Sequence, residues 1–226
     1  PAVTKTYIKL NGTTAEIEGE YATANGNIIT ITHSGEFYIE GTLNDGQINV
    51  NIPDETADPE TVKLFLNGVS IAGKSAPAIY IENAENTSIN LVDGTENTIS
   101  DGDTAYSGDW LEAAVIEAKD DITIKGGELG TGKLTLTANT QDGIFCNNDL
   151  KITGGIIDIS TLNTEAESDA VKGKSSLTIK GGEINVDAEG DALKSSKGDV
   201  LIEGGKISAK AGNDAVQAET TLTITD

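Results

Sequence analysis

Arginine and methionine are absent from this 226-residue chain, and cysteine, histidine and tryptophan occur once each. Without arginine there is no rigid guanidinium fork for two-pronged capture of carboxylate or phosphate. The 15 lysines face 37 aspartates and glutamates, for a formal net charge of −22 and a sequence pI near 4.2. Nucleic-acid binding needs clustered positive charge that displaces counterions, so this balance argues against DNA or RNA as a partner. The lone Cys146 cannot form an internal disulfide, and no His or Cys cluster points to zinc or copper. No apolar run approaches the roughly 18 residues of a membrane span. A start at Pro1 without methionine fits a leader removed during export.

What the chain does have is alternation. Apolar residues make up 37% of it and recur at every second position in short runs, the pattern of half-buried strands rather than of an acidic disordered tail. Aligning on glycine pairs gives "DDITIKGGEL", "NDLKITGGIIDI", "SSLTIKGGEINV" and "GDVLIEGGKISA", with Gly127, Gly155, Gly182 and Gly205 stepping by 28, 27 and 23 residues. Asp142, Asp169, Asp191 and Asp214 step by 27, 22 and 23 residues, so both landmarks belong to one repeat. Each unit holds three short strands separated by turn residues, which predicts an all-β solenoid, a parallel β-helix with three strands per coil. Sandwiches and propellers fit less well, because the tight Asn-Gly and Asp-Gly hairpin turns are missing from the clean repeats.

The expected organisation is one domain over 1–226. Residues 1–100 form less regular coils or a cap, 101–113 an inserted loop with the only tryptophan, and 114–226 the regular repeats. Alternation places Val171 inward, and with it Gly173 and its equivalents Cys146, Ser195 and Ala218, so Cys146 is expected to be a small core filler. The same count turns Gly143, Ala170, Ala192 and Ala215 outward as a low strip. Beside it stand Phe145, Lys172, Lys194 and Gln217, and such a strip would make a shallow groove suited to a polymer.

The succession "APAIYIENAENTSINLVDGTENTISDG", "AAVIEAKDDITIKGG", "GKLTLTANTQDGIFCNNDLKITGG", "SDAVKGKSSLTIKGG" and "GDALKS" resembles a bacterial family of carbohydrate-binding parallel β-helix proteins, formerly a domain of unknown function. The resemblance runs from about Val62 to the end. It implies a right-handed parallel β-helix related to pectate-type polysaccharide lyases, bound Ca²⁺, an extracellular or bacterial cell-surface location, and binding of cellulose or acidic sugars such as polygalacturonic acid.

Stacked coils lie about 4.8 Å apart, so the four aspartates should face one another closely, and uncompensated carboxylates at that range must protonate, separate or share a cation. Calcium bonds oxygen at roughly 2.3 to 2.6 Å and would span successive rungs. The expected ligands are Asp142, Asp169, Asp191 and Asp214, with Asn147, Asn213 or Glu189 completing the shell. The alternative is that each aspartate bonds backbone N–H groups while Lys172 and Lys194 neutralise the ladder.

Two functional classes follow. A non-catalytic, calcium-dependent binding protein would hold sugars through Trp110, Tyr106, Phe145, Lys172 and Lys194; the alternative for Trp110 is to pin its loop to the coil surface. A β-eliminating lyase would need Lys172 or Lys194 as base, and neighbouring carboxylates favour the charged, unsuitable form. A structural surface spacer is a third possibility. The chain stops at "TLTITD" before a glycine pair, an open edge through which copies could associate.

Overall fold

The computed structural model describes residues 5–165 and 168–225. Among these there is no helix, and 24 strands wind into a parallel β-helix of about eight turns. In the regular part each coil contributes one strand to each of three ladders. The first face stacks Ile79–Asn83, Ile116–Ala118, Ile144–Cys146, Val171–Gly173, Leu193–Ser195 and Val216–Ala218 in parallel register. The second stacks Asn86–Leu91 through Leu222–Ile224, and the third Glu96–Asp101 through Lys206–Ala211. Second and third faces merge further back, where the long strands Lys5–Gly12, Gly35–Leu43 and Val62–Gly73 span both.

Period-two alternation works as expected within the strands. Ile79, Ile116, Ile144, Val171 and Leu193 form one interior column, and Ala118, Cys146, Gly173 and Ser195 a second, narrower one. Cys146 is fully buried, its thiol facing the carbonyls of Asp120 and Asp149, and burial pushes its pKa up to about 12, as befits a filler and not a nucleophile. The glycine pairs mark the turn from second to third face. Gly155, Gly182 and Gly205 there take φ of 98°, 102° and 97°, a left-handed conformation that side chains rarely adopt.

Where Val62–Gly73 gives way to two separate strands, Asn97 is wholly buried and accepts the N–H groups of Gly68 and Val69 at 2.9 and 3.0 Å. Its own amide donates to the Lys133 carbonyl at 3.0 Å, so the break in the ladder leaves no orphaned polar atom there. The first hundred residues are both coils and cap. Ala15–Glu18 folds back antiparallel on Lys5–Gly12, and Ala22–Asn25 antiparallel on Ile28–Ile31, which interrupts the parallel stacking at that end.

Candidate functional site

The aspartate ladder exists and is built by backbone geometry. Asp142, Asp169, Asp191 and Asp214 stand at the corner that feeds the first face. Asp169 N–H donates to Asp142 Oδ1 at 2.8 Å, Asp191 N–H to Asp169 Oδ1 at 2.9 Å, and Asp214 N–H to Asp191 Oδ1 at 2.9 Å. Asp142, Asp169 and Asp191 therefore each hold the next coil in register. The outer oxygens face ammonium groups: Lys194 Nζ lies 2.6 Å from Asp191 Oδ2 and 3.1 Å from Asp169 Oδ2. Lys172 Nζ lies 3.6 Å from Asp169 Oδ2, 4.0 Å from Asp142 Oδ2 and 3.1 Å from Glu112 Oε2.

These positions do not fit a calcium cage. Three of the four carboxylates spend one oxygen on a backbone N–H and point the other at a lysine, where calcium would need several free oxygens converging at 2.3 to 2.6 Å. Among the described residues no three His, Cys, Asp or Glu side chains gather as a metal site. Asn147 lies past the opposite end of Ile144–Cys146 from Asp142, and its Oδ1 accepts Lys174 Nζ at 2.6 Å. Glu189 and Asn213 precede the ladder corner, where Glu189 N–H is held by Thr161 Oγ1 and Asn213 N–H by the Gly190 carbonyl.

Electrostatics confirm a crowded row. Desolvation, followed by the charge of Asp169, raises the Asp142 pKa to about 7 despite Lys172 beside it. Burial works to lower the Lys194 pKa, but bonds to Asp191 and Asp169 outweigh it and the net shift is upward. A lysine so held is protonated at any physiological pH and has no tendency to act as a base.

The groove expected beside the ladder is absent. Ala170 and Ala192 are fully buried and belong to the core, because the chain bends at this corner and alternation does not extend back through it. Gly143 likewise points inward, since a Cβ there would sit 3.1 Å from Ile159 Cγ2. Phe145 does point away from the core but is only 1% exposed. Its column on the first face runs Tyr80, Glu117, Phe145, Lys172, Lys194, Gln217, and the inserted loop lies across the earlier part of it.

Glu117 anchors that loop. Fully buried, it accepts the N–H groups of Leu111, Glu112 and Ala114 at 2.9, 3.3 and 3.2 Å. Trp110 packs edge-on against Tyr80 with centroids 5.1 Å apart, Tyr106 meets Trp110 at 6.5 Å, and Glu112 reaches Lys172. Half-buried, Trp110 and Tyr106 thus pin the loop to the solenoid. Burial pushes the Tyr106 hydroxyl pKa well up. Asp101, at the loop's root, is consumed by the N–H groups of Asn139 and Thr140 and by their side chains.

Another surface was missed at the sequence level. On the outward side of the long strands, Tyr7, Tyr38 and Phe65 align in register. Tyr7 stacks on Tyr38 at 5.3 Å and Tyr38 on Phe65 at 4.6 Å, with interplanar angles of 23° and 8°. Their spacing of roughly one coil was the available signal, hidden because these coils lack the glycine pairs and aspartates that align the later ones.

Comparison with known proteins agrees with this architecture. The sequence model of a family described as carbohydrate-binding domain-containing protein matches residues 25–226. A protein of that description from Acetivibrio thermocellus is 42% identical over 134 residues, which is 58% of this chain and 44% of the relative. The chain thus spans less than half the length of that curated relative. A solved structure described as the polysaccharide lyase-like protein from C. thermocellum, in a gadolinium derivative, superposes with a TM-score of 0.84 at 32% identity, covering 98% of this chain and 97% of that one. With a parallel β-helix fold and the family pattern over residues 25–226, this chain belongs to the carbohydrate-binding domain-containing proteins.

Proposed function

We propose that the protein binds plant cell-wall polysaccharide outside the cell, at the bacterial surface or beyond it, without cleaving it. The observation that carries the non-catalytic half is the state of Lys172 and Lys194. Each ammonium lies within 4.0 Å of two or more carboxylates, so both side chains are engaged as cations of the ladder and neither is held free to reach a substrate proton. Cellulose and polygalacturonate are the ligands proposed. A neutral glucan needs only apolar ring faces and hydroxyl partners. A polyuronate approaching a chain of net charge −22 needs a cation between the two, and calcium supplies it by bridging sugar carboxylates to exposed ones such as Asp214. Calcium is in this reading an ion brought to the interface with the acidic glycan.

The test is retention on insoluble cellulose and on immobilised polygalacturonate, each with calcium or with chelator, alongside ultraviolet monitoring of soluble polygalacturonate for unsaturated product. Retention on cellulose regardless of chelator, retention on polygalacturonate only with calcium, and a flat absorbance trace are expected. Steady product formation would replace this reading with the lyase. Failure to bind either polymer would leave a structural spacer.

A further inference from the structure

We infer that the outward face of the first strands is a sugar-binding subsite, centred on Tyr7, for a neutral glycan with flat, equatorially linked hexopyranose rings. The inference rests on the proposed binding function and places it on a surface far from the aspartate ladder.

The rings of the Tyr7, Tyr38, Phe65 column are stacked on one another, so inner faces are occupied and the first ring keeps an outer face. Tyr7 is 52% exposed, unusually open for a large aromatic side chain. Its neighbour on the far side is not a ring but Glu18, opposite it in the antiparallel strand Ala15–Glu18. That fold-back turns a flat sheet surface into a cleft of about 530 Å³, bordered by Tyr7, Tyr38, Lys9, Glu16, Glu18 and Glu40. The volume lies within the range that ligand sites occupy, about 300 to 1,000 Å³.

The border chemistry selects the ligand. The axial C–H bonds on one side of an equatorially substituted pyranose carry slight positive charge and lie well against the negative face of an aromatic ring. Around the ring plane such a sugar carries hydroxyl donors and acceptors. Glu16, Glu18 and Glu40 accept from hydroxyls, and Lys9 donates to them. Asn67, whose amide donates to Glu40 Oε2 at 3.3 Å, extends this polar rim. Lys9 is the one cation against three carboxylates on this border, so a uronate would be repelled where a neutral hexose is not. Beside the cleft, on the same outward face, Lys5 and Lys63 are both turned to Glu36, and Tyr38 donates to Glu36 Oε2 at 3.1 Å, which fixes the second ring of the stack. The fixed stack holds Tyr7 in one orientation before any ligand arrives, and pre-ordering of this kind reduces the entropy lost on binding.

The experiment is calorimetric titration of the whole chain with cellohexaose and with hexagalacturonate, for wild type, Tyr7→Phe and Tyr7→Ala, each checked for unchanged melting. Chelator is present for cellohexaose. NMR of the sugar adds a readout independent of affinity, since axial protons seated on an aromatic face move upfield. Cellohexaose is expected to bind wild type and Tyr7→Phe within about twofold of each other and Tyr7→Ala about tenfold more weakly, with the upfield shift lost only in the alanine variant. Wild-type affinity in Tyr7→Ala overturns the subsite and leaves the proposed function standing. Binding of hexagalacturonate but not cellohexaose by wild type does the same. Should wild type bind no glycan, soluble or insoluble, both inferences fall together.

Discussion

The Asp169 N–H donates to Asp142 Oδ1 at 2.8 Å, so a single carboxylate joins two coils while its own environment resists ionisation. Desolvation, then the Asp169 charge, lifts the Asp142 pKa from 3.8 to about 7. A folded-state pKa above the unfolded one means the fold binds this proton more tightly. The stability it contributes is complete below about pH 4 and is lost as pH rises through about 7. Asp142→Asn keeps an oxygen for the Asp169 N–H and cannot titrate, and Lys172 retains Glu112 and Asp169. Between pH 4 and 8 the wild type should lose on the order of 2 to 4 kcal/mol relative to this variant. Urea unfolding of both at the two pH values measures it; parallel behaviour would remove Asp142 as the titrating group.

Lys194 bridges Asp169 and Asp191, which are 5% and 3% exposed. Lys194→Met preserves much of the side-chain volume and leaves two nearly buried carboxylates without their cation. Removing one member of a buried pair costs about 3 to 5 kcal/mol, and the denaturation midpoint should fall accordingly. Adding Asp191→Asn to Lys194→Met should recover part of the loss, since the amide oxygen still accepts the Asp214 N–H. A midpoint unmoved by Lys194→Met would mean that solvent or another cation already satisfies the ladder.

Glu117 is the loop's anchor, and Trp110 reports on it because the chain contains one tryptophan. Glu117→Ala leaves three N–H groups without their acceptor and opens a void under the loop, a loss of about 2 to 4 kcal/mol. Tryptophan emission should shift to the red and become more accessible to acrylamide, while the rest of the solenoid retains its far-ultraviolet circular dichroism. Unchanged quenching in a folded Glu117→Ala protein would show that aromatic packing against Tyr80 suffices to hold the loop.

The repeats made the solenoid legible because each landmark has a backbone cause. Gly155, Gly182 and Gly205 occupy left-handed φ, and Asp142, Asp169 and Asp191 each catch the next coil's N–H, so both landmarks recur once per turn. Interior columns followed from alternation, as with Cys146, Gly173 and Ser195. Alternation stopped being informative at bends, where Ala170 and Val171 both enter the core, and it cannot say what lies above an outward side chain, which is how Phe145 came to be buried. The competition for the aspartate oxygens was foreseen as two alternatives, and only three-dimensional placement shows backbone and lysine taking them. Tyr7, Tyr38 and Phe65 sit in coils of different length and punctuation, so their alignment emerges from pairing and not from the repeat.

The interior column through Cys146, Gly173 and Ser195 offers a test of how tightly the turns are wound. A Cβ on Gly173 would lie 2.1 Å from the Ser176 carbonyl oxygen, far inside contact distance, with that carbonyl carbon at 2.9 Å and Leu150 Cβ at 3.0 Å. The obstacle is space, since neighbouring coils carry larger residues at the same register. Ser195 illustrates the difference: its hydroxyl accepts the Gly198 N–H at 3.2 Å, so the side chain is part of that turn. Gly173→Ala must push the following turn outward and should cost about 1 to 3 kcal/mol, whereas Ser195→Ala forfeits that bond and a longer one donated to the Lys174 carbonyl at 3.4 Å, together worth about 1 kcal/mol. Chemical denaturation of the two variants gives the order directly. Gly173→Ala less damaging than Ser195→Ala would show that the corner yields easily, and that register there depends on hydrogen bonding more than on close approach.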